Sequence, residues 1–444
     1  MLRKVGGGMD SSGAKVSIRE ANFPAPFQEG LEYSSPARGT WNIVHTGMLI
    51  PESHQIFVCA QGCLRGVVLT AAEMNAMGRY SAVAIREENV LDGTMEELMI
   101  EGVSDVLKKL SYRPKAVLLF ISCQHFFLAY DQKGVFRTLR KRFPDIRFLD
   151  CYMIPTLRKS GLTPDQKMRI QLYSALEPMP QKLKKISLIG SNLPVSADSE
   201  LVKLLQENGF ELVQLQDCQS FDDYLHMAES SLNLFYEPLA LMAAKDLEKR
   251  LGQKYLYLTF SFCYEELEEN YRNLCEALQI SIPDDWSVGL REKAELSLKR
   301  ARDIIGDTPI AVDYSFTFRI LSFTRMLLEH GFHVTEIYGD VFLPEEKEDF
   351  LWIQKHFPEI AVSSCIRPKM RYLNRKRDGK MLAVGQKAAY FTGTDHFVNV
   401  VESGGLYGYE GIVQIAGLME DAFLHTKDRK SIIQRKGYGC ESCI

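Results

Sequence analysis

Short apolar runs alternate along the chain with longer segments in which apolar positions recur at helical spacing. The first cycle holds the strand-like run Q-I-F-V-C (55–59), a helical segment from about Leu64 to Met77, and the strand-like run K-A-V-L-L-F-I-S-C (115–123). Further cycles open at K-K-I-S-L-I-G (184–190) and P-I-A-V-D-Y-S (309–315). Strands alternating with helices of about 10–15 residues are typical of βαβ units around parallel sheets. The pattern predicts an α/β protein with three Rossmann-like domains, each a mostly parallel sheet flanked by helices.

Domain boundaries follow the same cycles. The predicted segments are an N-terminal arm (1–40), three α/β domains (41–180, 181–283 and 284–424) and a C-terminal tail (425–444). The arm is rich in Gly, Ser and Pro, which is typical of a surface segment. The tail ends in G-C-E-S-C-I, where Cys440 and Cys443 form a C-x-x-C pair. This pair either binds metal, cycles as a dithiol or is a mobile, oxidisable end.

Composition narrows the function classes. Apolar residues make up 46% of the chain and charged residues 25%, as in ordinary globular proteins. The formal net charge of −4 includes no basic excess, so nucleic acid is not expected as a partner. No apolar run approaches the roughly 20 residues that cross a bilayer, and the N-terminus lacks a secretory apolar core. We therefore expect a cytoplasmic protein that does not contact a membrane.

Cysteine supplies the candidate chemistry. Cys59 and Cys63 lie in V-C-A-Q-G-C-L-R-G, and Cys123 ends the run F-I-S-C. Thiolates are the standard ligands of iron–sulfur clusters, and loops at strand ends are where a rigid sheet can hold them. From their spacing alone, the simpler interpretation is that these three cysteines are buried core residues, and the alternative is that they bind metal. If a cluster is present, His54 and His125 are candidates for tuning its potential by hydrogen bonding.

A second candidate site is the glycine-rich run G-G-L-Y-G-Y-E-G (404–411). It precedes the last predicted helix, whose N-terminus could face an anionic ligand. No phosphate-binding G-x-x-x-x-G-K-[ST] loop occurs in the sequence, so ATP hydrolysis by this chain itself is not expected. No H-E-x-x-H or G-x-S-x-G motif occurs either, which removes the commonest hydrolase classes.

Several segments together resemble the nitrogenase component 1 family. V-C-A-Q-G-C-L-R-G is similar to its V-H-G-P-x-G-C loop, and R-E-E-N-V-L-D-G-T to its E-x-D-V-V-F-G-G segment. The run I-S-C-Q-H-F-F-L-A-Y-D is similar to its S-T-C-P-x-x-L-I-G-D-D motif. K-I-S-L-I-G and L-Y-G-Y-E-G-I resemble its N-L-I-G strand and P-Y-H-G-Y-E-G turn. The resemblance covers roughly residues 40–424 and implies the family's fold of three α/β domains.

The resemblance implies a ligand set for an iron–sulfur cluster, of the 4Fe–4S type or a larger interfacial type. It assigns Cys63 and Cys123 to cluster cysteines of the family. The family's middle cysteine has no counterpart between Cys63 and Glu87. Cys59 stands where the family has glycine and would serve as a third ligand. In the family such a cluster lies between two subunits, so three thiolates per chain imply completion by a homodimeric partner or a paralogous subunit.

Two departures limit what the resemblance implies. The cysteine that anchors nitrogenase's catalytic cofactor would fall near Phe235, and the cofactor histidine near Val398. Neither residue is a metal ligand, so an iron–molybdenum-type cofactor and dinitrogen reduction are not supported.

The function implied is that of a catalytic component in a two-component oxidoreductase. A separate ATP-dependent iron–sulfur protein would deliver electrons to the interfacial cluster, which would pass them to an unidentified substrate. Tyr407, Tyr409 and Glu410 are candidate residues of the substrate pocket. Two alternatives remain open: a scaffold that holds a metallocluster and transfers it, and a cluster-free protein that binds a tetrapyrrole or another metabolite.

Overall fold

The computed structural model describes residues 13–27, 37–38, 41–154, 161–367, 369–370, 373 and 379–434. In these residues the strands are β1 Lys15–Ser17, β2 Ala37–Arg38, β3 Trp41–Asn42, β4 Ser53–Ala60, β5 Tyr80–Ile85, β6 Ala116–Ser122, β7 Arg147–Met153, β8 Lys182–Leu188, β9 Glu211–Gln214, β10 Ser230–Phe235, β11 Lys254–Tyr257, β12 Ile310–Asp313, β13 Val334–Tyr338, β14 Ala361–Ser363, β15 Leu382–Val384 and β16 Phe397–Val398.

The α-helices that alternate with these strands are α1 Ile43–Met48, α2 Gln61–Glu73, α3 Glu87–Leu91, α4 Met95–Lys109, α5 Cys123–Phe127, α6 Gln132–Arg142, α7 Pro164–Leu172, α8 Glu200–Glu207, α9 Phe221–Leu225, α10 Leu241–Leu251, α11 Tyr264–Leu278, α12 Trp286–Ile305, α13 Ile320–Glu329, α14 Lys347–His356, α15 Gln386–Thr392 and α16 Gly408–Leu424. No helix in the described part of the chain is both long and apolar enough to span a membrane.

The chain divides into two compact units. Unit I takes its described residues from Tyr33–Pro194 and Leu205–Leu258, and unit II from Met1–Glu32, Val195–Leu204 and Thr259–Ile444. The predicted α/β class, with mostly parallel sheets flanked by helices, is confirmed. The predicted count of three domains and their boundaries stay predictions.

Unit I contains two four-stranded parallel sheets, with strand orders β5-β4-β6-β7 and β11-β10-β8-β9. Strands β4 and β6 are buried along almost their whole length. Such continuous burial is expected of central strands in a parallel sheet, because helices cover both faces. This is why the sequences of β6 and of the second half of β4 are nearly unbroken apolar runs.

Side chains on the two faces of the first sheet enter different cores. Phe57, Cys59 and Phe120 lie in one core cluster, and Val58 lies in the other with residues of α4 and α6. The rings of Phe57 and Phe120 stack with centroids 4.3 Å apart. The first cluster continues to Phe235 on β10, so one core supports both sheets of unit I.

Unit II is built on a six-stranded sheet in the order β1-β14-β13-β12-β15-β16. All of its pairings are parallel except that of β1 with β14. Strand β1 comes from the predicted N-terminal arm, so part of this arm is an edge strand of the sheet. Helices α12 and α16 pack against each other.

Candidate metal centre

Cys59 and Cys123 lie at the same edge of the first sheet of unit I. Cys59 is the penultimate residue of β4, and Cys123 directly follows β6 as the first residue of α5. The two strands are parallel neighbours with Val58 paired to Ile121, so their carboxyl ends meet here. Cys63 follows in the first turn of α2. The fold therefore brings both cysteine loops to one edge of one sheet.

The three thiols differ in exposure but interact electrostatically. Cys59 is buried, Cys123 is half-buried and Cys63 is exposed. Burial raises the pKa of Cys59 to about 12, and the charges of Cys63 and then Cys123 add to this rise. Without a cation nearby, Cys59 is therefore a neutral thiol at physiological pH. A bound metal would supply the positive charge that a thiolate at this position requires.

The three thiols have the donor chemistry of an iron–sulfur group, but the described residues of one chain do not form a metal site by themselves. Three thiols are the donor type that such clusters use. A Cβ built on Gly62 meets no atom within 4 Å, so there is open space beside the turn before Cys63. Within the described ranges, no three His, Cys, Asp or Glu side chains are arranged to hold a metal ion by themselves.

An apolar surface lies beside Cys123. Phe126, Phe127 and Leu128 are 54%, 67% and 49% exposed, and the two phenylalanine rings meet edge to face with centroids 5.9 Å apart. Three consecutive large apolar side chains that are exposed to water are typical of a surface that binds another molecule.

The two histidines near the cysteine loops are engaged within the fold. His125 is buried and accepts a 3.2 Å hydrogen bond at Nδ1 from the N–H of Ser122, and burial lowers its pKa to about 4. His54 lies near the amino end of β4, between the hydroxyls of Tyr112 and Ser81 at 2.7 and 2.8 Å. Burial, and then the charge of Arg79, lowers the pKa of His54 to about 4. Both imidazoles are therefore neutral near pH 7.

The residues predicted for the substrate pocket lie at the N-terminus of α16. Tyr407 and Tyr409 are buried, and the Glu410 carboxylate forms a 2.5 Å ion pair with Lys293. The backbone N–H groups of Tyr409 and Glu410 donate to the carboxylate of Glu200 at 2.7 and 3.1 Å. The carboxylate of Glu200 therefore lies at the N-terminus of α16, where the sequence predicts a position for an anionic ligand. The pocket role of the three residues stays a prediction.

The two positions that correspond to the ligands of nitrogenase's catalytic cofactor are buried and apolar. Phe235 ends β10, and its ring stacks on that of Tyr257 with centroids 5.1 Å apart. Val398 ends β16 in unit II and is 1% exposed. Neither side chain has a donor atom for a metal, so these positions do not fit an iron–molybdenum-type cofactor.

The sequence did not reveal a buried charged cluster in unit I. Arg169 on α7 is 2% exposed and donates through Nη1 to Asn192 Oδ1 at 2.7 Å and to Thr46 Oγ1 at 3.3 Å. Its Nη2 lies 3.6 Å from Glu237 Oε2. The only local signal is the i, i+4 spacing of Asp165 and Arg169, which is equally typical of an exposed helix pair.

The remaining predicted cysteine site, Cys440 and Cys443, lies outside the described residues. None of the eight cysteines within the described ranges forms a disulfide.

Comparisons with known proteins agree with this architecture. A model of the family described as "Nitrogenase component 1 type Oxidoreductase" matches residues 44–417. A solved structure titled "Nitrogenase Cp1 at pH 6.5" is 14% identical with a TM-score of 0.66, covering 89% of this chain and 94% of that one. "Nitrogenase Cp1 at pH 5" is 12% identical with a TM-score of 0.58, covering 93% and 94%. No curated protein sequence gives a significant match.

Proposed function

Because the chain belongs to the nitrogenase component 1 type oxidoreductase family, we propose that it is the catalytic component of a two-component reductase. The observation that supports this role in the chain itself is the convergence of Cys59, Cys63 and Cys123 at one sheet edge. In the proposed reaction, a separate ATP-dependent iron–sulfur protein delivers electrons, since this sequence contains no phosphate-binding loop. We place the protein in the cytoplasm.

Cys63 and Cys123 are the proposed principal ligands of an iron–sulfur cluster, with Cys59 as the third. A bound cluster would supply one-electron transfer. The three side chains differ in what they contribute. Cys63 is exposed and accessible from outside the chain, whereas Cys59 must lose a proton in a buried setting that raises its pKa. Cluster binding is therefore expected to release protons.

A second component 1 subunit, identical or paralogous, is the proposed partner at this edge. The exposed thiol of Cys63 lies in α2, the helix that follows β4. The apolar surface of Phe126, Phe127 and Leu128 lies at the end of α5, the helix that follows β6. Burial of these apolar side chains would stabilise the contact by about 25 cal/mol per Å² of area removed from water. The partner would also complete the ligand set that one chain leaves incomplete.

The proposed substrate pocket includes Tyr407, Tyr409 and Glu410. Their arrangement depends on Glu200, which holds the first turn of α16 through the N–H groups of Tyr409 and Glu410. The substrate itself is unidentified.

Anaerobic purification with iron and sulfide analysis tests the cluster. Cys63→Ala and Cys123→Ala should each remove most of the bound iron while the far-ultraviolet circular dichroism stays unchanged. Cys263→Ala is a matched control: Cys263 is half-buried and hydrogen-bonded to Glu265 in unit II, so its replacement should leave the iron content unchanged. Full iron content in both Cys63→Ala and Cys123→Ala would contradict the ligand assignment.

The same protein distinguishes the reductase from the scaffold. A stable cluster that is reduced by an iron protein with ATP and reoxidised by an added substrate supports the reductase. Transfer of the cluster to a metal-free acceptor protein would instead support an assembly scaffold. Absence of iron after anaerobic reconstitution would contradict both and favour a cluster-free binding protein.

A further inference from the structure

The second sheet of unit I has a topological switch point between two of its strands. From β8 the chain forms β9 on one side and then returns to form β10 on the other side of β8. The connections that leave the carboxyl ends of β8 and β10 therefore diverge. In open α/β sheets, ligands bind in the crevice at such a point.

Arg169 lies at this switch point, close to the residues that follow both strands. Asn192 follows β8 and binds Nη1 of Arg169, and Glu237 follows β10 and lies 3.6 Å from Nη2. A third element, α1, supplies the hydroxyl of Thr46, which also accepts from Nη1. The guanidinium group is therefore fixed from one side by two polar neighbours.

On the opposite edge of the Arg169 guanidinium, Nη2 lies at ion-pair distance from the Glu237 carboxylate, 3.6 Å from Oε2, but outside hydrogen-bond distance. Neither Nε nor Nη2 has a hydrogen-bond partner among the described residues, although both atoms are buried. Leaving buried donors unpaired is costly, so such groups in a native protein require an explanation. The Nε and Nη2 atoms form the planar two-donor edge that arginine uses to bind carboxylate or phosphate.

Protonation of Glu237 would remove its ion pair with the Nε–Nη2 edge of Arg169, and its surroundings favour protonation. Burial raises its pKa, the charge of Asp165 raises it further, and Arg169 opposes the rise. The phenol of Tyr173, the residue that follows α7, also lies near Glu237 and accepts a hydrogen bond from the N–H of Gly190. Burial and the charge of Asp165 thus favour the protonated form of Glu237, and Arg169 opposes it.

We propose that the Nε–Nη2 edge of Arg169 binds the oxyanion group, a carboxylate or a phosphate, of a small molecule at the carboxyl ends of β8 and β10. In this step the oxyanion replaces Glu237 as the partner of Arg169, and Glu237 takes up one proton from solvent. No covalent bond forms or breaks. The inference rests on the proposed function only in that it assigns an anionic group to the reductase's substrate.

Titration calorimetry on the full-length protein tests the proposal with inorganic phosphate and with malonate as separate probes. One of the two should bind, and more tightly at lower pH, because binding takes up a proton. The probe that binds identifies the source of the oxyanion. Arg169→Gln should weaken binding by at least about tenfold, and Arg169→Lys should also weaken it, since lysine lacks the two-donor edge.

Glu237→Gln gives the decisive result, because it imitates the protonated side chain. This variant should bind the probe at least as tightly as the parent and lose most of the pH dependence. Arg250→Gln is the control: Arg250 is an ion-paired arginine of the same unit that donates to the carbonyls of Leu176 and Tyr173, and its replacement should leave binding unchanged. A purely structural Arg169–Glu237 pair predicts instead that Glu237→Gln only lowers stability.

Failure of this inference is distinguishable from failure of the proposed function. No heat of binding for either probe at millimolar concentration, in both the parent and Glu237→Gln, would overturn the oxyanion site. Undiminished binding in a folded Arg169→Gln variant would do the same. Iron content, measured on the same samples, reports on the cluster alone and should not change in Arg169→Gln.

Discussion

The carboxylate of Glu200 accepts a 2.7 Å hydrogen bond from the backbone N–H of Tyr409 and another of 2.7 Å from the hydroxyl of Tyr271. It is a buried N-terminal cap for α16, supplied from a distant part of the chain. The residue before Tyr409 must be glycine for two reasons. Gly408 has a φ of +81°, and a Cβ at this position would lie 1.8 Å from an oxygen of Glu200. The glycine-rich turn is therefore explained by the fit of a carboxylate against the backbone.

Glu200→Ala should destabilise unit II by about 3 kcal/mol, because it leaves buried N–H donors unpaired. Urea unfolding followed by tryptophan fluorescence measures the change. Trp286 is a suitable reporter, since its ring lies 4.8 Å from that of Tyr271. Glu207→Ala, at the exposed end of α8, should change the midpoint little. Equal midpoints for the two variants would contradict the capping role.

Two glycines with different surroundings are expected to respond in opposite ways to replacement by alanine. Gly190 has φ of +88°, and an added Cβ would lie 2.1 Å from the Cβ of Ala240. Gly190→Ala should therefore cost about 2–4 kcal/mol from backbone strain and overpacking. Gly289 lies within α12, and an added Cβ meets no atom within 4 Å. Gly289→Ala should stabilise the protein by up to about 1 kcal/mol, so the two substitutions should shift the melting temperature in opposite directions.

The sequence predicted the parts of this fold that depend on local periodicity. The runs that predicted strands at 55–59, 184–190 and 309–315 correspond to β4, β8 and β12, since the buried part of a central parallel strand is mostly apolar. The position of Cys59 and Cys123 at strand ends was predicted for the same reason. Helix α4 begins after Thr94, whose side chain makes no capping hydrogen bond.

What the sequence did not reveal depends on contacts between distant residues. Glu200 and Arg169 lie on short helices whose charged residues are typical of solvent-facing positions, yet both are buried. Their partners, Tyr409 and Asn192, lie 209 and 23 residues away, and neither spacing is a periodicity of helix or strand. The pairing of β1 with β14 is equally nonlocal, which is why the arm was expected only as a surface segment.

The buried carboxyl group of Glu346 predicts a pH dependence. It accepts hydrogen bonds from the N–H groups of Leu321 and Leu343, and burial raises its pKa from 4.5 to about 7, with Arg319 opposing the rise. Between these values the folded chain holds more of this proton than the unfolded chain does. The contribution of Glu346 to stability is therefore fully present below about pH 4.5 and is lost as the pH rises through 7.

Glu346→Gln should remove this dependence. The stability difference between parent and variant should change by up to about 3 kcal/mol between pH 4.5 and pH 8, with the parent losing stability as the pH rises. Chemical unfolding at a series of pH values measures it. Glu348→Gln, at an exposed position of α14, is the control and should parallel the parent. A pH profile of Glu346→Gln that also parallels the parent would contradict the raised pKa.

The contrast between Cys59 and Cys63 predicts selective alkylation. In metal-free protein at about pH 8, iodoacetamide should modify Cys63, which is exposed, and leave Cys59 unmodified, because Cys59 is buried with its pKa raised to about 12. Peptide mass mapping identifies the modified thiols, and addition of urea should make Cys59 reactive.

After anaerobic reconstitution with iron and sulfide, Cys63 should become protected as well, because a metal-bound thiolate is not free to react. Modification of Cys59 in the folded, metal-free protein as fast as Cys63 would show that its thiol is not held in the core. Continued reactivity of Cys63 in protein that has bound iron would exclude it as a ligand.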